Sequence, residues 1–185
     1  MTTLLILAIV AILGYWLFWP LVAFIVSRAP VARWLIDRSL RTPYFHLDGY
    51  MMRWWLFNPI ETYQNEIDGV MQDRKIARYR WCPVSARIHH ILRADKARHP
   101  HNHPGSFRTI VLDGWYDETR DDGIYTRHQG DTAVLEHGEF HHVNEVSAGG
   151  VWTLFIMWDW RGVWGFRLDD GSVVPHQEYH NGGKP

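Results

Sequence analysis

The sequence predicts an all-β, antiparallel sandwich or barrel carried behind one N-terminal hydrophobic segment. Three observations lead there. From Arg80 onward, short apolar runs are separated by Gly, Asp and Asn, the texture of regularly spaced strands and turns. Of the 12 histidines, those from His89 to His142 form a dense group, with three at alternate positions in His99-Pro100-His101-Asn102-His103-Pro104. Residues 4–26 contain no charged side chain.

At 185 residues and 46% apolar the chain is one domain with an appendage, long enough to bury a core. A net charge of -1, with 19 basic residues spread out and never in a dense run, excludes a phosphate-tracking groove, so no nucleic-acid partner is expected. Cys82 is the single cysteine. The chain therefore has no disulfide framework, which suits a reducing compartment.

In chain order, residues 1–28 read as a transmembrane anchor. The run over 4–26 is long enough at 1.5 Å per residue to cross a hydrocarbon core of roughly 30 Å. A cleaved signal peptide is the rival; Met1-Thr2-Thr3 lacks the basic side chain such a leader begins with, and the apolar run is too long. Arg28, Arg33, Arg38 and Arg41 follow, offset only by Asp37. Positive residues flanking a span stay inside, which places the N-terminus outside and the domain on the cytoplasmic side of a single-pass inner membrane. Residues 31–40, bracketed by Pro30 and Pro43, have the spacing of a juxtamembrane helix. Residues 44–58 are an aromatic linker expected to cover one face of the domain. Residues 60–77, acidic early and basic late, suit a short helix or an ordered loop. This linker region as a whole covers 29–79, the β-domain 80–180, and a disordered tail 181–185. Strands are expected at 85–92, 107–112, 115–118, 124–127, 132–135, 142–146, 151–157, 164–168 and 172–174.

In an extended strand alternate side chains share a face, so His101 and His103 point the same way and can chelate one metal ion. His99 has the same parity. His141 or His142 can supply a further ligand from a neighbouring strand. His89 and His90 straddle another strand, so one of them faces inward as a candidate acid or base. Arg87 and Arg93 are candidates to clamp a substrate carboxylate through two parallel hydrogen bonds, whereas Arg108, by parity from His103, faces away.

The spacing resembles that of the cupin superfamily. In the first cupin motif, G-x5-H-x-H-x3/4-E-x6-G, His101, His103 and Gly114 fall at the right intervals. In the second, G-x5-P-x-G-x2-H-x3-N, Gly130, Gly138 and His141 do. RIHHILRADKARHPHNHPGSF, MMRWWLFN and WTLFIMWDWRGVWGF further resemble small cupin-like proteins of bacteria and their phages. The resemblance spans about residues 44–180 and implies a jelly-roll barrel with His101, His103 and His141 as metal ligands. It departs at Phe107, where the motif has a glutamate ligand, and at Asp95, Glu136 and Glu145. The remaining three-imidazole set is similar to the iron centre of cysteine dioxygenase and other thiol dioxygenases. That similarity implies Fe as the metal, with Zn or Ni as alternatives, and a dioxygenase acting on a small polar substrate. Two other functions fit the same resemblance: a non-enzymatic accessory protein at a membrane, and a metal-free sugar isomerase or epimerase. Pairing of edge strands into a homodimer is a further expectation.

Overall fold

The computed structural model describes residue 14 and residues 16–67 and 70–182. Two helices lead in, α1 (Trp16–Val26) and α2 (Ala29–Ser39), and a short α3 (His176–Gly182) closes the chain. Between them, among the described residues, lie twelve strands. The first eight are β1 (Met51–Phe57), β2 (Ile60–Ile67), β3 (Val70–Ala77), β4 (Ser85–Ile91), β5 (Gly105–Asp113), β6 (Trp115–Arg120), β7 (Gly123–His128) and β8 (Thr132–Leu135). The rest are β9 (His141–Val146), β10 (Val151–Trp160), β11 (Gly165–Arg167) and β12 (Val173–Pro175).

All strand pairings are antiparallel, and they build two layers. One is a five-stranded sheet in the order β1-β4-β10-β5-β8. The other combines β7-β6-β9 with β11-β12, joined where His101 bridges His141 on one side and Phe166 on the other. Each strand expected beyond Arg80 is present within a few residues of its predicted bounds.

Alternation along the five-stranded sheet divides its two faces. Arg87, His89 and Ile91 of β4, Phe107 and Thr109 of β5, and Thr153, Phe155 and Met157 of β10 face the interior, where a pocket opens. Ala86, Ile88, Ile110, Leu112 and Leu154 face the other way, into a core shared with Ala23 of α1 and Ala32 and Leu35 of α2. Two smaller cores close the space between the layers. Ile91, Val111, Tyr116, Val143 and Val151 form one, and Phe107, Leu135, Phe155 and Met157 the other.

Four expectations change. Residues 60–77 are neither helix nor loop but the β2–β3 hairpin, with Ile67 paired to Val70. The intervening Asp68-Gly69 is the sequence pair that a two-residue hairpin turn favours, and it outweighs the helix-like charge order. Part of the aromatic linker, MMRWWLF, is itself strand β1, paired along β4 at the sheet edge. The single span expected over 4–26 is not seen. Residues 4–13 lie outside the described residues, and among the described residues no single helix is long and apolar enough to cross a membrane. Only α1 and α2 together meet the length and composition, and they are bent by 78°. The described part of the run, α1, is docked on the sheet. Ala23 is fully buried against the sheet, the Arg108 guanidinium stacks 4.4 Å from the Trp19 ring, and Gln129 Nε2 donates to the Ser27 carbonyl at 2.7 Å. Of the tail expected to be disordered, residues 181–182 belong to α3, and 183–185 lie outside the described residues.

Asn58 ties β1 to the segment entering β4. It is 1% exposed and adopts a left-handed φ of 48°, a conformation that asparagine tolerates better than most residues. Its Nδ2 donates to the carbonyls of Cys82 and Val84, each at 2.9 Å, and its Oδ1 accepts from the Tyr79 amide at 2.7 Å. Asn58→Ala leaves these buried groups unpaired and keeps the strained φ. A loss of about 2–4 kcal/mol is expected in chemical denaturation, and a loss under about 0.5 kcal/mol would contradict this role.

Candidate metal centre

The His101 backbone and that of His141 exchange two hydrogen bonds, N–H to O=C in both directions at 2.9 Å. This pins the proline-flanked histidine run against β9. Two residues on, with the parity expected of an extended segment, His103 returns to the same side just before β5 begins at Gly105. The result brings His101, His103 and His141 together, one ligand atom from each lying within 4.8 Å of the others. His103 Nε2 and His141 Nε2 are 2.9 Å apart. Two nitrogens bound at about 2.0–2.1 Å to one ion sit roughly 2.9–3.4 Å apart, so the pair has ligand spacing.

The protonation states also suit donors. Burial pushes His101 down to about 3, reinforced by His141 and opposed by Asp95. Burial, with His101 and His141 beside it, also holds His103 well below the usual imidazole range. Neutral imidazoles carry the lone pair a metal needs. Carboxylates stand behind two of the three rings. His141 Nδ1 lies 3.2 Å from Glu118 Oε2, and His101 Nδ1 lies 3.6 Å from Asp95 Oδ2. A carboxylate on Nδ1 fixes the ring and leaves Nε2 for the cluster. Glu118 is 1% exposed and also meets Arg120 and Arg127, each at 2.9 Å. Burial opposes its ionisation, yet the His141 hydrogen bond and the two arginines outweigh it and hold the carboxyl at about 2. Asp95 accepts from the Val143 amide at 2.8 Å and from the Tyr50 hydroxyl. The residues present therefore fit a metal ion held by three imidazoles.

Phe107 lies on the inner face with its ring 4.5 Å from that of His103, so an aromatic wall stands where the motif's glutamate would reach in. The other members of the histidine and arginine groups separate as follows. His99 turns outward to Tyr179 Oη at 3.0 Å, and His142 Nε2 meets the Ala97 carbonyl at 2.8 Å. His89 faces the pocket, stacked 4.7 Å from Phe155, whereas His90 is outside against Trp152. Arg87 lines the pocket. Arg93 does not: its guanidinium donates to the Gly49 and Ala94 carbonyls and stacks on Tyr50, because β4 has ended at Ile91. Arg108 faces away, as parity requires.

The pocket measures about 250 Å³. Along β4 and β10, where Thr153 is registered with His89 and Phe155 with Arg87, its wall is polar. Arg87 Nε, His89 Nε2 and Thr153 Oγ1 are buried there without a hydrogen-bond partner. Burial lowers the Arg87 guanidinium to about 10, which leaves it cationic at neutral pH. Its neighbours are aromatic rings, Phe155 at 4.6 Å, Trp55 at 5.2 Å and Tyr44 at 5.5 Å. Sequence reasoning missed Glu118, Asp95 and Thr153. Glu118 carried a signal, since it shares the parity of Tyr116 on a strand whose other face is solvated, which sets an acid on the inner side.

Two antiparallel layers closing on an interior pocket make this a cupin-like β-barrel, with three imidazoles at one end of the pocket. Solved structures to which the chain is similar include KdgF from Halomonas sp., 12% identical with a TM-score of 0.43 over 63% of this chain and 88% of that one. A cupin superfamily protein from Desulfitobacterium hafniense is 12% identical, with a TM-score of 0.39 over 63% and 84%. A cupin 2 conserved barrel domain protein from Leptotrichia buccalis is 17% identical, with a TM-score of 0.38 over 63% and 44%. No protein-family model matches the chain, and no curated protein does.

Because Glu118 positions His141 rather than binding a metal itself, Glu118→Gln should weaken metal affinity about 10–100-fold. Competition against a chelating dye reads this. Unchanged affinity in the folded variant would remove Glu118 from the centre.

Proposed function

We propose that this chain is a metal-dependent enzyme acting on a small anionic molecule. An iron centre that performs dioxygenase chemistry is the most specific form of that reading. The observation that carries it is the shared pocket. Three imidazoles converge in it, and an uncompensated buried guanidinium with two unpaired polar groups waits along the wall. A buried charge without a counter-ion is costly, so a site that keeps one is built for a ligand that supplies the opposite charge. A carboxylate answers Arg87 through two parallel hydrogen bonds.

His101, His103 and His141 would hold the ion. When bound, it supplies Lewis acidity, and iron adds one-electron chemistry towards dioxygen. The remaining work falls to the protein. Arg87 and Thr153 orient the anionic end. His89, whose pKa burial and the neighbouring Arg87 drive well below the usual imidazole range, serves as a neutral hydrogen-bonding group. Phe107, Phe155 and Met157 keep the space between the two ends apolar and exclude water.

The full-length protein should carry about one transition-metal ion per chain by elemental analysis, and the folded His101→Ala/His103→Ala variant should carry none. The iron form should consume oxygen with members of a panel of carboxylate-bearing thiols and diols. Metal-free parent protein after exposure to iron, zinc, nickel and copper would overturn the reading. For the anionic end, Arg87→Met should abolish that oxygen consumption while metal content is retained and the melting temperature stays level or rises, since a buried cation has been removed. A fall in melting temperature of several degrees would instead make Arg87 a packing element.

A further inference from the structure

The outer face of the five-stranded sheet carries α1 and α2, and the side of α1 turned away from it is strongly apolar. Trp19, Val22, Ala23 and Val26 pack inward. Leu17, Phe18, Leu21, Phe24 and Ile25, on the opposite helical face, are between 48% and 60% exposed, and Trp34 of α2 is 63% exposed. Single exposed apolar residues are ordinary, but a contiguous face of this kind marks an interaction surface. Four exposed arginines, Arg28, Arg33, Arg38 and Arg41, lie along the same pair of helices and their exit, with Asp37 as the only acid between them.

We propose that the outward face of α1, together with Trp34, is a membrane-interface surface that seats the barrel directly on an anionic bilayer.

Two features choose lipid as the occupant. The first is charge. Apolar and aromatic side chains flanked by arginine match the boundary between acyl chains and anionic headgroups. A second copy of the chain would set the same arginines against themselves, with one Asp37 per chain to offset them. The second is continuity. Residues 4–13, outside the described residues, read LLILAIVAIL without a charge and precede α1 in the sequence. A barrel tethered by a free span would not need an exposed apolar face on the very helix that is docked to it. The surface and the pocket lie on opposite faces of one sheet, so lipid at α1 leaves the pocket lining untouched. This inference stands apart from the proposed chemistry.

The test uses the full chain with Cys82→Ser and one new cysteine, from Leu21→Cys, Ile25→Cys, Trp34→Cys or, on β7 of the other layer, Ile124→Cys. Each is labelled with nitrobenzoxadiazole and mixed with vesicles of phosphatidylcholine, with or without phosphatidylglycerol. Labels at 21, 25 and 34 should shift to the blue and be quenched by brominated lipid, most strongly with phosphatidylglycerol, while the label at 124 should not respond. Arg33→Glu/Arg41→Glu should weaken partition to the anionic vesicles at least about thirtyfold. Its metal content should equal the parent's, so a failed seat and a failed metal centre are told apart. Vesicle-bound protein whose labels at 21, 25 and 34 remain water-like would overturn the proposal and leave a tether upstream. A blue shift without vesicles that grows with protein concentration would overturn it in favour of self-association. Absence of vesicle binding in the parent would overturn it outright.

Discussion

Two backbone hydrogen bonds between His101 and His141 hold the centre together. A proline-flanked stretch has few ladder bonds of its own, and this bridge, with the Asp95–Val143 and His142–Ala97 hydrogen bonds beside it, fixes His99-Pro100-His101-Asn102-His103 against β9. With it, the parity of an extended chain places His103 beside His141, and Glu118 and Asp95 stand behind the rings. The bridge also fuses β9 to β11, which completes the second layer of the barrel and closes the pocket around the imidazoles.

The interior is organised by charge as much as by packing. Glu118 has more cations than it can satisfy singly, with Arg120, Arg127 and the His141 hydrogen bond sharing it, so its ionised state is secure. Arg87 has the reverse problem, a cation among aromatic rings and a methionine sulfur. Cation–π contact offsets part of the burial cost but leaves the guanidinium's hydrogen-bonding edge open. The pocket therefore receives imidazole lone pairs from β9 and the His101–His103 segment and hydrogen-bond donors from Arg87 and Thr153 of the five-stranded sheet.

Much of this was legible in the sequence because it depends on local patterns. Period-two alternation and turn residues located the strands beyond Arg80, and the cupin-like spacing singled out His141 over His142. Parity alone sent Arg108 outward and left Arg87 a candidate. What escaped depends on tertiary context. Charge order made residues 60–77 look helical although Asp68-Gly69 favoured a hairpin. Arg93 looked equivalent to Arg87 because sequence distance cannot show that β4 ends at Ile91. The docking of α1 also escaped, because composition carries no information on it; the sheet's outer face, made by strands far along the chain, gives Ala23 and Trp19 a partner. Asp95 was noted as a departure from a motif glycine, and its approach to His101 appears only once the loop is folded over β9.

The central claim is that three imidazoles, and no carboxylate, bind one metal ion. X-ray absorption at the metal edge of full-length protein reconstituted with iron(II) addresses it directly. The account predicts one ion per chain with three imidazole nitrogens at roughly 2.0–2.2 Å, and the loss of one of them in His141→Ala. An unchanged coordination shell in His141→Ala, or a shell without imidazole scattering, would contradict it.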